Sequence, residues 1–321
     1  MQAYYPEGLL SETQENRELT ASLPALEYAM QNRKVVEGRA VLCDEDLTLH
    51  VDFGACRGIM PADEVLLRRA DEPRKDIAVI SRVGKPLCCL VTGFEKRGGE
   101  TVAVLSRRLA QETCRRTYLS FLRPGDLIPA RVTHLEPFGA FLDIGCGIVS
   151  LLTVDTISVS RISHPRDRLW VGMDLTVIVK SVDPLSGRIY TTLRELLGTW
   201  KENAERFAVG QTVTGILRSV ENYGIFVELA PNLAGLAEPH SEKHACDIRA
   251  QIGRGAAVYI KSILPERMKI KLVLIDTGFP PPRPKEPPYF VDPAITTHLS
   301  RWVYSPPEAQ KQVETNFDAM G

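Results

Sequence analysis

The 321-residue sequence lacks long hydrophobic runs, and no apolar stretch approaches the ~20 residues that a helix needs to cross a bilayer. The polar N-terminus, MQAYYPEGLLSETQENRE, lacks the basic and apolar regions of a signal peptide. The seven cysteines lack the C-x-x-C spacing of zinc and redox sites, and an odd number of scattered cysteines is typical of reduced thiols. We therefore expect a cytoplasmic protein with no membrane segment, no metal and no cofactor.

The sequence also lacks the motifs of common enzyme classes. It contains no phosphate-binding loop, no nucleophile elbow and no H-E-x-x-H, and its six histidines show no metal-ligand spacing. We therefore do not expect an enzyme. A strong basic excess is missing too, because the net charge is −1 at pH 7, whereas proteins that bind duplex DNA through its phosphates are usually basic. If the chain binds nucleic acid, stacking on aromatic side chains must contribute much of the affinity.

An internal repeat is the main feature that the sequence does contain. Residues 132–145, VTHLEPFGAFLDIG, match residues 217–230, LRSVENYGIFVELA. Both copies place an aromatic residue, a glycine, a small or apolar residue and a phenylalanine in that order. A third, degenerate copy lies upstream, where CDEDLTLHV stands in place of this aromatic corner. Such self-similarity indicates one structural unit used several times.

Each repeated unit, about 70–85 residues long, contains short β-rich runs separated by Gly and Pro, which is typical of a small closed antiparallel barrel. We predict an all-β protein of three tandem barrels joined by short helical segments. The helical segments are expected at residues 22–30, 107–122, 193–207 and 307–317. The predicted domains are an N-terminal arm with a short helix at 1–32, barrels at 33–117, 118–200 and 201–277, and a Pro-rich linker and tail at 278–321.

The alternation of side chains along a strand predicts which residues at the corner face solvent. Phe141 shares a strand face with Asp143, and an unpaired carboxylate is rarely buried. We therefore expect Asp143 and Phe141 to face solvent, while Gly139 permits a bulge that brings Phe138 alongside. The second copy repeats this arrangement with Tyr223, Gly224, Phe226 and Glu228. The alternative is that these aromatic residues are ordinary barrel core.

Basic side chains are expected around both corners, either on outward strand positions or at the turn before the last strand. They are Arg131, Lys180 and Arg188 in the first copy, and Arg218, Lys261 and Lys269 in the second. Two exposed aromatic rings with a few surrounding cations suit single-stranded nucleic acid, because bases stack on the rings and the cations neutralise phosphates.

The pattern GxxxxxxVxxxxxFGAFxDxG, followed by Gly-x-x-Val-x-Val-Lys and Arg-Ile, resembles the ribosomal S-one RNA-binding domain. The resemblance covers residues 122–197 and 205–276 well and residues 33–110 weakly. The order of the copies, a degenerate one before two typical ones, is also similar to that of the short S-one homologues of Gram-positive bacteria. The resemblance implies that each barrel is a five-stranded OB fold that binds RNA across a face of two aromatic residues, a His, an Asp and an Arg.

The family's RNA-binding residues can be carried over position by position. The resemblance implies Phe138, Phe141, Asp183 and Arg188 in the middle copy, and Tyr223, Phe226 and Lys269 in the last. The family's His position is Thr153 in the middle copy and Glu238 in the last, where His240 follows two residues later and is the remaining candidate. A Glu at this position would repel RNA phosphates.

The resemblance implies non-enzymatic binding of single-stranded RNA, mRNA in particular, during translation on or near the small ribosomal subunit. The first barrel has lost the corner and carries Asp44, Glu45 and Asp46 in its place. We expect residues 1–117 to dock on a protein partner on the small subunit; the alternative is a decayed repeat kept as a structural cap. For the whole chain, the alternative is a protein-interaction scaffold, or a regulator of translation or RNA decay, with little RNA affinity.

Overall fold

The chain folds into three closed barrels of five strands each and one two-stranded sheet within the part described by the computed structural model, which is residues 4–68, 73, 75–239, 242–280 and 283–320. The strand order is the same in all three barrels. The first strand pairs with the second and the fourth, and the third strand pairs in parallel with the fifth. The predicted all-β fold of three tandem OB-type barrels is confirmed.

The first barrel has helices before β1 and after β5, and one short helix between β3 and β4. Its strands are β1 (Val36–Cys43), β2 (Leu49–Asp52), β3 (Arg57–Met60), β4 (Pro86–Arg97) and β5 (Glu100–Ser106). The helices are α1 (Gln14–Thr20), α2 (Leu23–Gln31), α3 (Asp76–Ile80) and α4 (Arg107–Thr117). Ser22 caps α2 by accepting a hydrogen bond from the Ala25 amide. The helix expected at 22–30 is therefore present.

The other two barrels follow the same plan. The second contains β6 (Leu127–Glu136), β7 (Gly139–Asp143), β8 (Val149–Thr153), β9 (Asp174–Val182) and β10 (Ile189–Thr192), with the short helix α5 (Val154–Ile157). The third contains β11 (Thr212–Glu221), β12 (Gly224–Ala230), β13 (Leu233–Ala237), β14 (Gly255–Leu264) and β15 (Lys269–Phe279). Helices α6 (Trp200–Ala204) and α7 (Glu242–Arg249) lie before β11 and before β14.

The segment 193–207, predicted as one helix, is divided by a glycine. A 3₁₀ turn at Arg194–Leu197 ends at Gly198, whose φ of +81° leaves the helical region. Helix α6 then starts from a capping box in which the Thr199 side chain and Glu202 exchange hydrogen bonds with each other's backbone. None of the helices in the described residues is long and apolar enough to cross a membrane.

The chain divides into two compact units, and the dividing lines cut through the second barrel. Unit 1 is Met1–Leu122 with Pro129–Arg131 and Asp143–Val149. Unit 2 is Arg123–Ile128, Val132–Leu142 and Ser150–Gly321. The loop Asp143–Val149 is therefore part of the same unit as the N-terminal arm, and the C-terminal segment is part of the same unit as the third barrel.

A fully buried ion pair lies inside unit 1. Arg107 donates to both carboxylate oxygens of Glu7, with Nε–Oε1 and Nη2–Oε2 distances of 2.6 and 2.9 Å, and Nη1 donates to the Val65 carbonyl. Arg107 is 0% exposed. Buried charges persist only when paired in this way, so the N-terminal arm is an integral part of unit 1.

The C-terminal segment is folded onto unit 2. Strand β16 (Arg301–Val303) pairs with β17 (Glu314–Asn316), so the short helix expected at 307–317 is wrong. Trp302 and Tyr304 join the buried core of the third barrel, and the Tyr304 hydroxyl donates to the Asn232 carbonyl at 2.8 Å. Burial of these two aromatic side chains outweighs the weak helical tendency of the segment, which is a structural part of unit 2.

Candidate nucleic-acid interface

The first aromatic corner lies at the hairpin between β6 and β7. Phe138 is 55% exposed, Phe141 is half-buried, and their ring centroids are 5.9 Å apart at an interplanar angle of 88°. Gly139 separates the rings, and a Cβ added there would lie 2.5 Å from the Leu152 carbonyl oxygen. The close approach of a neighbouring strand therefore requires glycine at this position.

The second corner reproduces this geometry between β11 and β12. Tyr223 is 67% exposed, Phe226 is half-buried, and their centroids are again 5.9 Å apart at 89°. Gly224 has a φ of +152°, and a Cβ there would lie 2.6 Å from the Leu236 side chain. Phe138 and Tyr223 are exposed, and Phe141 and Phe226 are half-buried, so none of the four rings is fully buried.

The acids beside the corners are buried, which contradicts the expectation that they face solvent. Asp143 is 3% exposed, and its carboxylate accepts hydrogen bonds from the amides of Glu7, Gly145 and Gly147 at 2.7–3.0 Å. Burial, together with the charge of Glu7, raises the pKa of Asp143 to about 7. The side chain is covered by the segment after β7 and by the N-terminal arm of unit 1, which strand alternation cannot show.

Glu228 is also 3% exposed, and two guanidinium groups hold it. Arg168 binds both of its carboxylate oxygens at 2.6 and 2.7 Å. Arg218 Nε donates to Glu228 Oε2 at 2.6 Å, and Arg218 Nη1 donates to Asp167 at 2.8 Å. We call these four residues the unit 2 charge network. It balances two cations with two anions in a partly buried site.

This network corrects the prediction for Arg218. Its side chain is only 7% exposed, so it is not an outward cation available to phosphate. Its phase on β11 placed it on the same side as the corner, but residues Asp167 and Arg168 of the loop between β8 and β9 cover it. Asn232 holds the same loop, because its Oδ1 accepts from the Val159 amide and its Nδ2 donates to the Arg194 and Gly198 carbonyls.

The other predicted basic residues differ in accessibility. Arg188 and Lys261 are exposed, and Lys180 and Lys269 are half-buried. Arg131 donates to the Glu7 carbonyl at 3.2 Å and is half-buried. Arg188, Lys261, Lys180 and Lys269 thus remain wholly or partly accessible, and none of the described ion pairs involves them.

Asp183 has a structural task at the turn before β10. Its carboxylate accepts from the amides of Leu185 and Ser186 and from the Ser186 hydroxyl, and these hydrogen bonds lower its pKa. The Asp183 amide donates to the Arg188 carbonyl at 2.8 Å. Asp183 therefore fixes the turn that presents Arg188 to solvent.

Neither of the two positions that correspond to the family histidine carries an imidazole. Thr153 is half-buried and hydrogen-bonded to Thr156, and Glu238 is exposed. His240 lies outside the described residues. One exposed ring was missed: His134 on β6 stacks on Phe141, with centroids 6.2 Å apart at 28°. Its place opposite Phe141 in the hairpin could have revealed it.

Comparison with known proteins gives a consistent set of relatives. No family model matches the chain. Small ribosomal subunit protein bS1 of Mycolicibacterium smegmatis is 31% identical over 235 residues, which are 70% of this chain and 47% of that protein. The bS1 proteins of Leuconostoc lactis and Staphylococcus aureus are 30% and 28% identical, over 59% and 68% of this chain and 43% and 54% of theirs. The chain spans about half the length of the curated relatives it matches.

Two solved structures are also similar in part. A multidomain protein with nucleic acid binding domains from Streptococcus pneumoniae is 14% identical, covers 76% of this chain and 74% of its own, and has a TM-score of 0.23. A complex of a/eIF2alpha, aDim2p and rRNA from Pyrococcus horikoshii is 24% identical over 27% of this chain and 52% of that chain, also with a TM-score of 0.23. These TM-scores are too low to support an inference about this chain.

Three barrels with one strand order, two matching aromatic corners and these relatives define the class: the chain is a repeat protein of S1-type OB-fold domains. Within the part that they share, it is similar to small ribosomal subunit protein bS1. The relatives it matches are ribosomal proteins.

The unit 2 charge network leads to a stability prediction. Arg218→Met removes one cation from a buried site and leaves Asp167 without its guanidinium partner, so we expect the free energy of unfolding to fall by about 3 kcal/mol. Urea unfolding followed by circular dichroism measures this. The matched control is Arg188→Met, an exposed arginine, which should change stability by less than about 0.5 kcal/mol. Equal, small effects of the two substitutions would show that the network is not stabilising.

Proposed function

We propose that the chain binds single-stranded RNA, including mRNA, during translation in the cytoplasm, and that both aromatic corners form the binding surface. The observation that carries this proposal is the recurrence of one geometry: an exposed edge-to-face ring pair, with the adjacent carboxylate buried and hydrogen-bonded. A base stacked on an aromatic side chain contributes about 1–3 kcal/mol. Two such corners supply enough surface for several bases.

The buried acids support the proposal electrostatically. An exposed carboxylate beside the rings would repel phosphate, but Glu228 lies between two guanidinium groups. Asp143 is shielded by three backbone amides. The corners are therefore apolar surfaces free of an exposed negative neighbour on the same strand.

The cations around the corners are few. Arg188 and Lys261 are exposed, Lys180 and Lys269 are half-buried, and Arg218 is buried in the charge network. With a net charge of −1, stacking rather than phosphate neutralisation dominates the affinity. Duplex RNA buries its base faces, so unpaired RNA is the preferred ligand.

The first test removes all four rings. Replacing Phe138, Phe141, Tyr223 and Phe226 together by Ala should lower the affinity for an unstructured U-rich RNA at least tenfold, because the stacking surfaces are lost. Fluorescence anisotropy at fixed salt measures the dissociation constant, and circular dichroism checks the fold.

The matched control for this test replaces two exposed aromatic residues away from the corners, Tyr28 and Phe121, which are 56% and 71% exposed. This control should bind RNA as the unaltered chain does. An unchanged affinity of the quadruple variant would contradict RNA binding at the corners and favour a protein-interaction scaffold.

For the first barrel, we propose docking on the small ribosomal subunit through residues 1–117. The support is a group of exposed apolar side chains: Val41, Leu42, Ile77, Ile80 and Val83 are 39–68% exposed. The Gly84 amide donates to the Ala40 carbonyl at 2.7 Å, which brings the residues beside them, Val83 and Val41, into one neighbourhood. Exposed apolar groups of this kind mark protein-interaction sites.

Point substitutions test the docking proposal better than a deletion. Removing residues 1–117 would also remove Glu7 and Gln111, which bind Asp143 and the Cys146 carbonyl within unit 1. Ile77→Glu with Ile80→Glu should instead abolish co-sedimentation with small ribosomal subunits and leave the affinity for isolated RNA unchanged. Ile295→Glu, at an 81% exposed site in unit 2, is the control. Full co-sedimentation of the double variant would exclude this surface.

A further inference from the structure

His134 extends the first corner from two rings to three. Its side chain on β6 is 62% exposed, and its ring lies nearly parallel to Phe141, with centroids 6.2 Å apart at 28°. Phe141 in turn contacts Phe138 edge to face at 5.9 Å. The three side chains form a continuous aromatic surface at the β6–β7 hairpin, and an imidazole as accessible as this one contributes little to the barrel core.

The second corner stops at two rings. In the repeat, His134 corresponds to Ser219, and Glu136 corresponds to Glu221. The strand register of the third barrel places Ser219 directly opposite Phe226. The serine therefore occupies the place from which a ring would cover Phe226, and the two corners differ by one stacking surface at an otherwise matching site.

We propose that His134 is a third base-stacking residue, so that the corner of the second barrel takes one more unpaired base than that of the third barrel and is the stronger RNA site. This inference rests on the proposed function. It adds a specificity-determining residue that lies outside the family positions at 153 and 238, where this chain has Thr and Glu.

A hydrogen bond prepares the ring for stacking. His134 Nε2 lies 2.6 Å from Glu136 Oε1, which restricts rotation of the imidazole before RNA arrives. A ring held in place loses less conformational entropy on binding than a free one. The contribution of His134 to binding comes from its ring face rather than from attraction to phosphate.

The loss experiment uses the full chain with the third-barrel corner removed by Tyr223→Ala and Phe226→Ala. In that background, His134→Ser should weaken binding of a U-rich RNA by about five- to tenfold, the lower range for one base–aromatic stack. His134→Phe keeps a ring and removes both nitrogens, so it should retain most of the affinity. If His134→Phe binds as weakly as His134→Ser, stacking is not the role of this residue.

The gain experiment uses the reverse background, with Phe138→Ala and Phe141→Ala. Ser219→His should strengthen RNA binding by about five- to tenfold, because it supplies the missing ring opposite Phe226 with Glu221 already in place. Ser219→Ala is the matched control and should have no effect. The gain experiment remains informative even if a substitution at His134 disturbs the second barrel, because it does not change His134.

The outcomes separate this inference from the proposed function. If removing the ring pairs does not weaken RNA binding, the proposed function fails and the inference with it. If the ring pairs matter but His134→Ser has no effect and Ser219→His brings no gain, the proposed function stands and the third stacking surface is wrong. Weaker RNA binding in the loss experiment and stronger RNA binding in the gain experiment would establish His134 as a stacking residue.

Discussion

The aromatic corners depend on one constraint: the carboxylate next to each corner, Asp143 or Glu228, is buried and therefore must be paired. Each corner carries an acid two residues after its second ring, and an exposed acid there would repel phosphate while an unpaired buried one would destabilise the barrel. The two repeats meet this constraint differently. Glu228 is neutralised by Arg168 and Arg218, whereas three backbone amides hold Asp143. In both cases this acid is not exposed to phosphate, whereas Glu136 and Glu221 on the preceding strands remain accessible.

Some partners of these acids come from outside the repeated hairpin, and the division of the chain into units does not follow the edges of its repeats. Glu7 of the N-terminal arm contacts Asp143 within unit 1, and the loop carrying Arg168 contacts Glu228 within unit 2. The same principle applies to Asn232, whose buried amide satisfies three backbone groups of unit 2. The repeats in the sequence indicate similar barrels, whereas the polar contacts join parts of the barrels to segments outside the repeats.

Local patterns in the sequence predicted the barrels and the exposed rings, but not the polar contacts around them. Strand alternation and the repeat identified Phe138 and Tyr223 because both depend on neighbours within one hairpin. Alternation tells which side of a strand a residue lies on and nothing about what covers that side. Asp143 also binds the Glu7 amide, 136 positions away, and Glu228 also binds Arg168, 60 positions away. Local patterns could not show the burial that these distant partners bring. The predicted helix at 307–317 is wrong for the same reason. Trp302 and Tyr304, just before this segment, pack in the core of the third barrel, and the segment itself pairs through β17 with β16.

Photo-crosslinking tests the central claim, binding of unpaired bases at the two corners, most directly. The full chain would be irradiated with a single-stranded RNA containing 4-thiouridine, and the adducts would be located by mass spectrometry of peptides. We expect adducts at residues 134–141 and 223–226, with more adducts in the first range than in the second. The adducts should disappear when duplex RNA replaces the single strand. Adducts confined to other surfaces, such as the first barrel, would contradict this claim.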